Sequence, residues 1–261
     1  MIHTKARLSR LSQSVPNFFR LLAMCVTLLG SPAFGSDDTN IFRKAGIPSP
    51  DREWMGFDYT LAGKALASER VPLPRLSDPE GKKLLDRITS TNNLAFSRNK
   101  SLPVQIRITD SDSMMTGVRS ILKRYLADAA KGVKVDSEIT QLMAFVLHLT
   151  AAELDVADEF MAQVPKDEKY QTRAEGVAKM NSGVVTQFVG AANVLANPDQ
   201  YNSNDRHVIL SAMAATLPRL KKTFPPSYVG ELKQKLIDGR PKITEPENAL
   251  EIDSMLQTLG N

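Results

Sequence analysis

Cysteine and histidine are scarce in this sequence. Among 261 residues there is one cysteine, Cys25, and there are three histidines, His3, His148 and His207. Cys25 and His3 lie in a leader that we expect to be removed. The remaining chain then has no disulfide, no thiolate nucleophile, no thiolate metal site and no thioether-linked haem. Two histidines are too few for a three-histidine zinc site, and we predict neither a metal site nor a cofactor.

A cleaved signal peptide is predicted over residues 1–35. A basic start without acidic residues precedes an apolar run at 21–29. Ala33 and Gly35 then supply small residues at the recognition positions for cleavage after Gly35. The run is too short for a membrane span, which needs about 20 apolar residues. A lipoprotein signal ending at Cys25 is the less favoured alternative, because a methionine precedes the cysteine.

Removal of the leader changes the charge of the protein. Its four basic residues, taken from the 33 lysines and arginines, leave 29 against 29 aspartates and glutamates. A chain without net charge gives no indication of nucleic-acid binding, and we predict none. We also expect no stable membrane insertion. The signal predicts export by the general secretory route to the periplasm, with an extracellular address as the alternative, and the oligomeric state stays open.

The rest of the chain contains repeated helix start and stop signals. Prolines that follow a capping residue indicate helix starts after Ser49, Ser77–Asp78, Pro225 and Glu245. Longer helices are predicted over 137–163, 167–196 and from about Ser203 to Leu217. We therefore predict an all-α protein: one multi-helix bundle of seven to nine helices over 49–261, preceded by an irregular N-terminal arm at 36–48.

Residues 99–110 differ from this pattern. Val104, Ile106 and Ile108 alternate with polar residues, which gives a period of two rather than 3.6. A single strand cannot form a sheet, and no partner strand is evident. We therefore expect an extended connector here, with helical structure resuming at Asp112.

One carboxylate falls on an apolar helix face. In the helix predicted at 137–163, Glu153 lies within the arc formed by the large apolar residues. A buried carboxylate must be neutralised or paired, and a guanidinium suits it because it donates two parallel hydrogen bonds. We expect Glu153 to pair with Arg206 or with Arg173. The alternative is that Glu153 acts as a general acid or base with a raised pKa.

Three glycines recur at a spacing of seven. Gly176, Gly183 and Gly190 lie on one stripe of a predicted helix. Each glycine costs about 0.5–1 kcal/mol relative to alanine in a helix, so the stripe indicates that something approaches the backbone. A neighbouring helix is the first expectation, a groove for a partner or ligand is the second, and the third alternative is that the spacing carries no meaning.

Recognised catalytic patterns are missing from the sequence. Neither His148 nor His207 belongs to a metal-binding spacing, and we expect both to be solvent-exposed. There is no nucleophile elbow, and no serine followed by a lysine three positions later lies at a convincing helix start. Carboxylate pairs for glycoside hydrolysis stay open, since spacing alone cannot choose among so many acids.

The sequence favours a non-enzymatic exported protein that binds another protein in the bacterial envelope, as an accessory factor or a toxin inhibitor of the immunity type. The first alternative is a periplasmic enzyme or small-ligand binder that uses Glu153 with Arg173 or Arg206 in a bundle cavity. The second is a module that associates with the membrane surface or cell wall, which a neutral chain disfavours.

Overall fold

The computed structural model describes residues 40–196 and 201–260, and the regular structure within these ranges is helical. The helices are α1 (Ile41–Lys44), α2 (Gly56–Leu66), α3 (Pro79–Ile88), α4 (Ala95–Arg98), α5 (Val104–Ala129), α6 (Asp136–Gln163), α7 (Tyr170–Ala191), α8 (Asn193–Ala196), α9 (Ser203–Leu220), α10 (Pro226–Gly239) and α11 (Pro246–Leu259). Eight of these described helices have ten residues or more. The predicted all-α class and helix number are confirmed.

Local capping chemistry sets several helix starts. The Asp78 side chain accepts a hydrogen bond from the Gly81 amide at 2.7 Å, with a proline in the first turn of α3. The prolines at the starts of α10 and α11 also lie where the sequence places them. The Ser49 signal is misleading, since the Ser49 hydroxyl bonds to Asp51 within a turn and α2 begins only at Gly56.

The connector predicted at 99–110 is wrong from Val104 onward, because α5 begins there. Val104, Arg107 and Ser111 are the buried residues of this first stretch, at helical spacing. Ile106 is half-exposed, so the alternating apolar residues do not mark one buried face. The short helix α1 likewise lies in the stretch predicted as an irregular arm, where the Asn40 side chain caps it. The predicted leader lies outside the described residues.

Helices α2 and α5 pack unusually closely because glycines line their contact. A Cβ atom built on Gly63 would lie 2.8 Å from the Gly117 Cα. One built on Gly56 would lie 2.8 Å from the Ser113 Cβ. Side chains cannot occupy such positions without moving a backbone. The two helices run parallel, since Gly56 meets the start of α5 whereas Arg124, near its end, donates to the Ser68 carbonyl just beyond α2.

Helix α6 is shared by two clusters of buried side chains. Phe145 and Leu149 belong to a cluster with α2, α3 and α5, whereas Leu147 and Leu154 belong to one with α7, α9, α10 and α11. A segment of α6 has a mean hydropathy of 1.3, high enough for a membrane span by length and composition, and 67% of that segment is buried within the fold. Burial of this kind is typical of a core helix.

Candidate functional site

The Glu153 carboxyl is buried where α6 packs against α5. The residue is 7% exposed, and no ion pair or hydrogen bond joins its carboxyl to another described residue. The pKa of Glu153 is raised to about 7, mainly by burial and secondly by the nearby Asp112 carboxylate, while Arg119 opposes this shift. The predicted burial of Glu153 is confirmed.

The expected pairing of Glu153 is wrong. Arg206 forms an ion pair with Glu245, and Arg173 pairs with Asp167 at 2.7 Å. Helix α9 begins beside the start of α6, where the Ser137 hydroxyl donates to Asp205 at 2.8 Å. Arg206 therefore lies near the first turn of α6, about 24 Å along the helix axis from Glu153.

Arg173 is placed away from Glu153 by the direction of α7. Thr150 donates to Gln187 at 2.6 Å, and a Cβ on Gly190 would lie 3.3 Å from the Met143 Cε. Helix α7 thus runs antiparallel to α6. Its first turn, which carries Arg173, lies toward the C-terminal end of α6, beyond Glu153.

Glu153→Gln should make the protein more stable at neutral and alkaline pH. A carboxyl with a raised pKa destabilises the folded state when it ionises, so stability is lost as pH rises from 4.5 through about 7. The uncharged amide avoids this loss. We expect the variant to gain about 2–3 kcal/mol at pH 8 and almost nothing at pH 4, measured by urea unfolding at both pH values.

The exposed Glu175 on α7 provides the matched control. Glu175→Gln should change the unfolding free energy by no more than about 0.5 kcal/mol at either pH. A gain for Glu153→Gln that is equal at pH 4 and pH 8 would show that Glu153 does not ionise within this range.

The glycine stripe of α7 is not a site of close approach. A Cβ on Gly176 or Gly183 would meet no atom within 4 Å among the described residues. Gly190 has one near neighbour, the flexible end of Met143. The prediction of a neighbouring backbone is therefore wrong for α7, and the close helix packing occurs instead at Gly63 and Gly117.

Of the two histidines expected to be solvent-exposed, His207 has a side chain that is 44% exposed, whereas His148 is largely covered. His148 is half-buried on α6, and burial lowers its pKa, with a smaller contribution in the same direction from Arg98. The His207 Nδ1 lies 4.0 Å from a Glu247 carboxylate oxygen. Within residues 40–196 and 201–260, no group of three histidine, aspartate or glutamate side chains is arranged to hold a metal ion.

A buried arginine, Arg107, joins α4, α5 and α6. Its burial is not predicted from the sequence. Arg107 is 2% exposed. Its guanidinium donates to the Leu102 carbonyl at 3.2 Å, to the Ser97 carbonyl at 3.1 Å and to both carboxylate oxygens of Glu159. These contacts hold the 99–103 turn against α6. The arrangement is structural, because every nitrogen of the guanidinium is already bonded within the protein.

Three exposed apolar side chains lie near the starts of α2 and α5. Met55 and Phe57 flank Gly56, whose amide donates to the Asp110 carboxylate on α5 at 2.6 Å. Ile106 lies one helical turn before Asp110, on the same side of α5. The exposed fractions are 44% for Met55, 71% for Phe57 and 48% for Ile106. We call these three residues the apolar patch.

A cleft of about 550 Å³ opens on the outer side of α3. Pro50 and Pro79 form part of its wall, and charged side chains from α3 form most of the rest. Neither Glu153 nor Arg173 nor Arg206 lines it, so the cavity expected for a site built from these residues is not the one found here.

Comparison with protein-family models, with curated proteins and with solved structures finds no match to this chain.

Proposed function

We propose that the protein acts by binding another protein, and that the apolar patch is the contact surface. The observation that supports this most is the 71% exposure of Phe57. Removing an aromatic ring from water contributes more favourable binding free energy than burying most other side chains. Aromatic residues are also enriched among the anchors of protein interfaces. Most of the Phe57 ring is not buried within the fold.

The patch rests on a rigid base. Glycines bring α2 and α5 into backbone contact, and Arg52 fixes the first turn of α2 by donating to both oxygens of the buried Asp58 carboxylate. Ordered anchors lose less conformational entropy when a partner binds. Charged side chains of Arg52 and Glu53 lie exposed beside Met55, which gives the polar rim that such surfaces carry.

The export signal supports a partner in the bacterial envelope. A leader over residues 1–35 would deliver the chain to the periplasm, where a cysteine-free helical protein persists without a disulfide because its two buried clusters hold it together. The partner would be an envelope protein that this chain assists or inhibits.

Phe57→Glu should strongly reduce capture of that partner without unfolding the protein. A carboxylate at position 57 stays hydrated in the free chain and becomes costly only when a partner covers it. The measurement is crosslinking in the envelope through a photoreactive phenylalanine analogue at position 57, together with affinity capture by the wild type and by the variant. We expect a discrete crosslinked band and a loss of at least about tenfold in capture.

Leu250 provides the matched control because it is 67% exposed on α11, away from the patch. Leu250→Glu should leave capture unchanged, and the analogue at position 250 should give no such band. Equal loss with both variants would contradict the proposal, as would a crosslinked product with the mass of two copies of this chain.

The pKa of Glu153 favours a second candidate, a ligand binder or enzyme with a general acid or base. A carboxyl with a pKa near 7 exchanges its proton readily at neutral pH. This candidate is weaker in its original form because both proposed arginines are engaged by other carboxylates. It would rely on Glu153, Asp112 and Arg119 instead.

A further inference from the structure

We propose that the α3 cleft binds a small soluble ligand through a carboxylate or phosphate group, with Arg87 as the principal contact. Three cationic side chains, Lys82, Lys83 and Arg87, line the cleft together with two carboxylates, Asp51 and Asp86. Its volume of about 550 Å³ falls in the range of small-ligand sites. The cationic side chains thus exceed the acidic ones within a concave surface.

Arg87 differs from the two lysines in its pairing. Lys82 bonds to Asp86 at 2.5 Å, and Lys83 bonds to Asp51 at 2.7 Å. Both carboxylates of the cleft are therefore engaged. Among the described residues no carboxylate lies within 4.0 Å of the Arg87 guanidinium, so this cation can take an acidic partner without breaking an existing ion pair.

The Arg87 guanidinium is also held in place. Its Nε donates to the Pro50 carbonyl at 2.7 Å, which ties α3 to the opposite wall of the cleft. The two terminal nitrogens form no hydrogen bond with another described residue. A guanidinium fixed at Nε presents its terminal N–H groups as a preformed donor pair, which fits the oxygens of a carboxylate or a phosphate.

Neighbouring groups can assist such a ligand. Lys82 is about half-exposed, and its pair with Asp86 joins residues four apart on one helix face. Exposed pairs of this kind contribute little to stability and rearrange easily, so the Lys82 ammonium can turn toward an anion. The Ser90 hydroxyl, two residues beyond the end of α3, adds a further donor to the lining.

The test is an amide chemical-shift titration of the full chain with inorganic phosphate and with acetate, using chloride at equal ionic strength for comparison. Saturable shifts confined to the amides of residues 51 and 80–90 are expected for phosphate or acetate and not for chloride. Arg87→Gln should weaken binding at least about tenfold, and Lys82→Gln should weaken it about threefold.

Lys235→Gln is the matched control, because Lys235 is an exposed lysine on α10. It should leave the titration unchanged. Lys82→Gln keeps the test informative if Arg87→Gln loosens the turn at Pro50, since the Lys82 side chain has no role in holding that turn. The proposal is overturned if the wild type shows no saturable shift, or if the folded Arg87→Gln variant binds phosphate and acetate as well as the wild type.

Discussion

Gly117→Ala is expected to lower the free energy of unfolding by about 3 kcal/mol. A Cβ at this position would meet the Tyr59 carbonyl oxygen and would lie 2.6 Å from the Tyr59 carbonyl carbon. Both atoms belong to the backbone of α2, so no side-chain rotation can relieve the overlap. Helices α2 and α5 would have to separate along the line where Gly63 faces Gly117.

The separation would also disturb a buried hydrogen-bond network. The Tyr59 hydroxyl donates to the Ile88 carbonyl at 2.6 Å and accepts from the Asn93 amide at 2.7 Å. Asn93 in turn accepts from the Trp54 amide at 3.0 Å. Moving α2 outward lengthens these bonds, and buried groups that lose their partners add to the cost.

Gly183→Ala is the matched control for this prediction. The position is inside α7, and a Cβ there meets no described atom within 4 Å. Alanine should therefore show only its helix preference and stabilise the protein by about 0.5–1 kcal/mol. The midpoints of urea and thermal unfolding, monitored by circular dichroism, should shift in opposite directions for the two variants. Destabilisation by both variants to the same degree would rule out close packing of α2 on α5 as the cause.

The two glycine series show what the sequence can and cannot predict. Gly56 and Gly63 have the same spacing of seven as Gly176 and Gly183, yet only the first pair meets another helix backbone. The spacing establishes that the glycines share a helix face. Which face meets a neighbour depends on how helices distant in sequence pack, and a single sequence carries no direct signal for that arrangement.

Helix starts are predicted well where the cause is local. The Asp78 side chain caps α3, and the prolines after Pro225 and Glu245 open α10 and α11 as the sequence indicates. The burial of Glu153 also follows from one helix alone, because it depends only on the angular position of the residue. Whether a basic residue reaches Glu153 does not follow from one helix, since α9 places Arg206 near the first turn of α6.

The start of α5 shows how a buried charge can hide a helix. Burial of a polar residue reverses the usual pattern, because Arg107 lies inside while Ile106 is 48% exposed. The reversal is stable only because Glu159, on another helix, reaches the guanidinium. The alternation of apolar and polar residues over 104–108 does not reveal that contact, and it therefore indicates a strand.

Arg107→Leu is expected to destabilise the protein by about 2–4 kcal/mol at pH 7. Leucine fills part of the volume, but the buried Ser97 carbonyl and the Leu102 carbonyl lose their donor. The 99–103 turn then loses its main link to α6. We expect amide hydrogen exchange to accelerate first in this turn and in the first turns of α5, which would locate the damage.

The pH dependence separates the charge of Arg107 from its packing. Arg107 first, and then Lys100, hold the pKa of Glu159 at about 2. A lowered carboxyl pKa adds stability above pH 4.5, and this stability is lost as pH falls toward 2. The difference in the free energy of unfolding between the wild type and Arg107→Leu should therefore become smaller as the pH falls from 4.5 to 2.

Arg240→Leu supplies the comparison, because Arg240 also donates to both oxygens of a carboxylate, that of Asp253, but at the protein surface. Solvent screens such a pair, so its loss should change stability little. A large effect for Arg240→Leu together with a small one for Arg107→Leu would contradict the assignment of Arg107 as the residue that fastens the start of α5 to α6. If the difference in unfolding free energy between the wild type and Arg107→Leu stays constant down to pH 2, Arg107 stabilises the protein by packing and not by its ion pair.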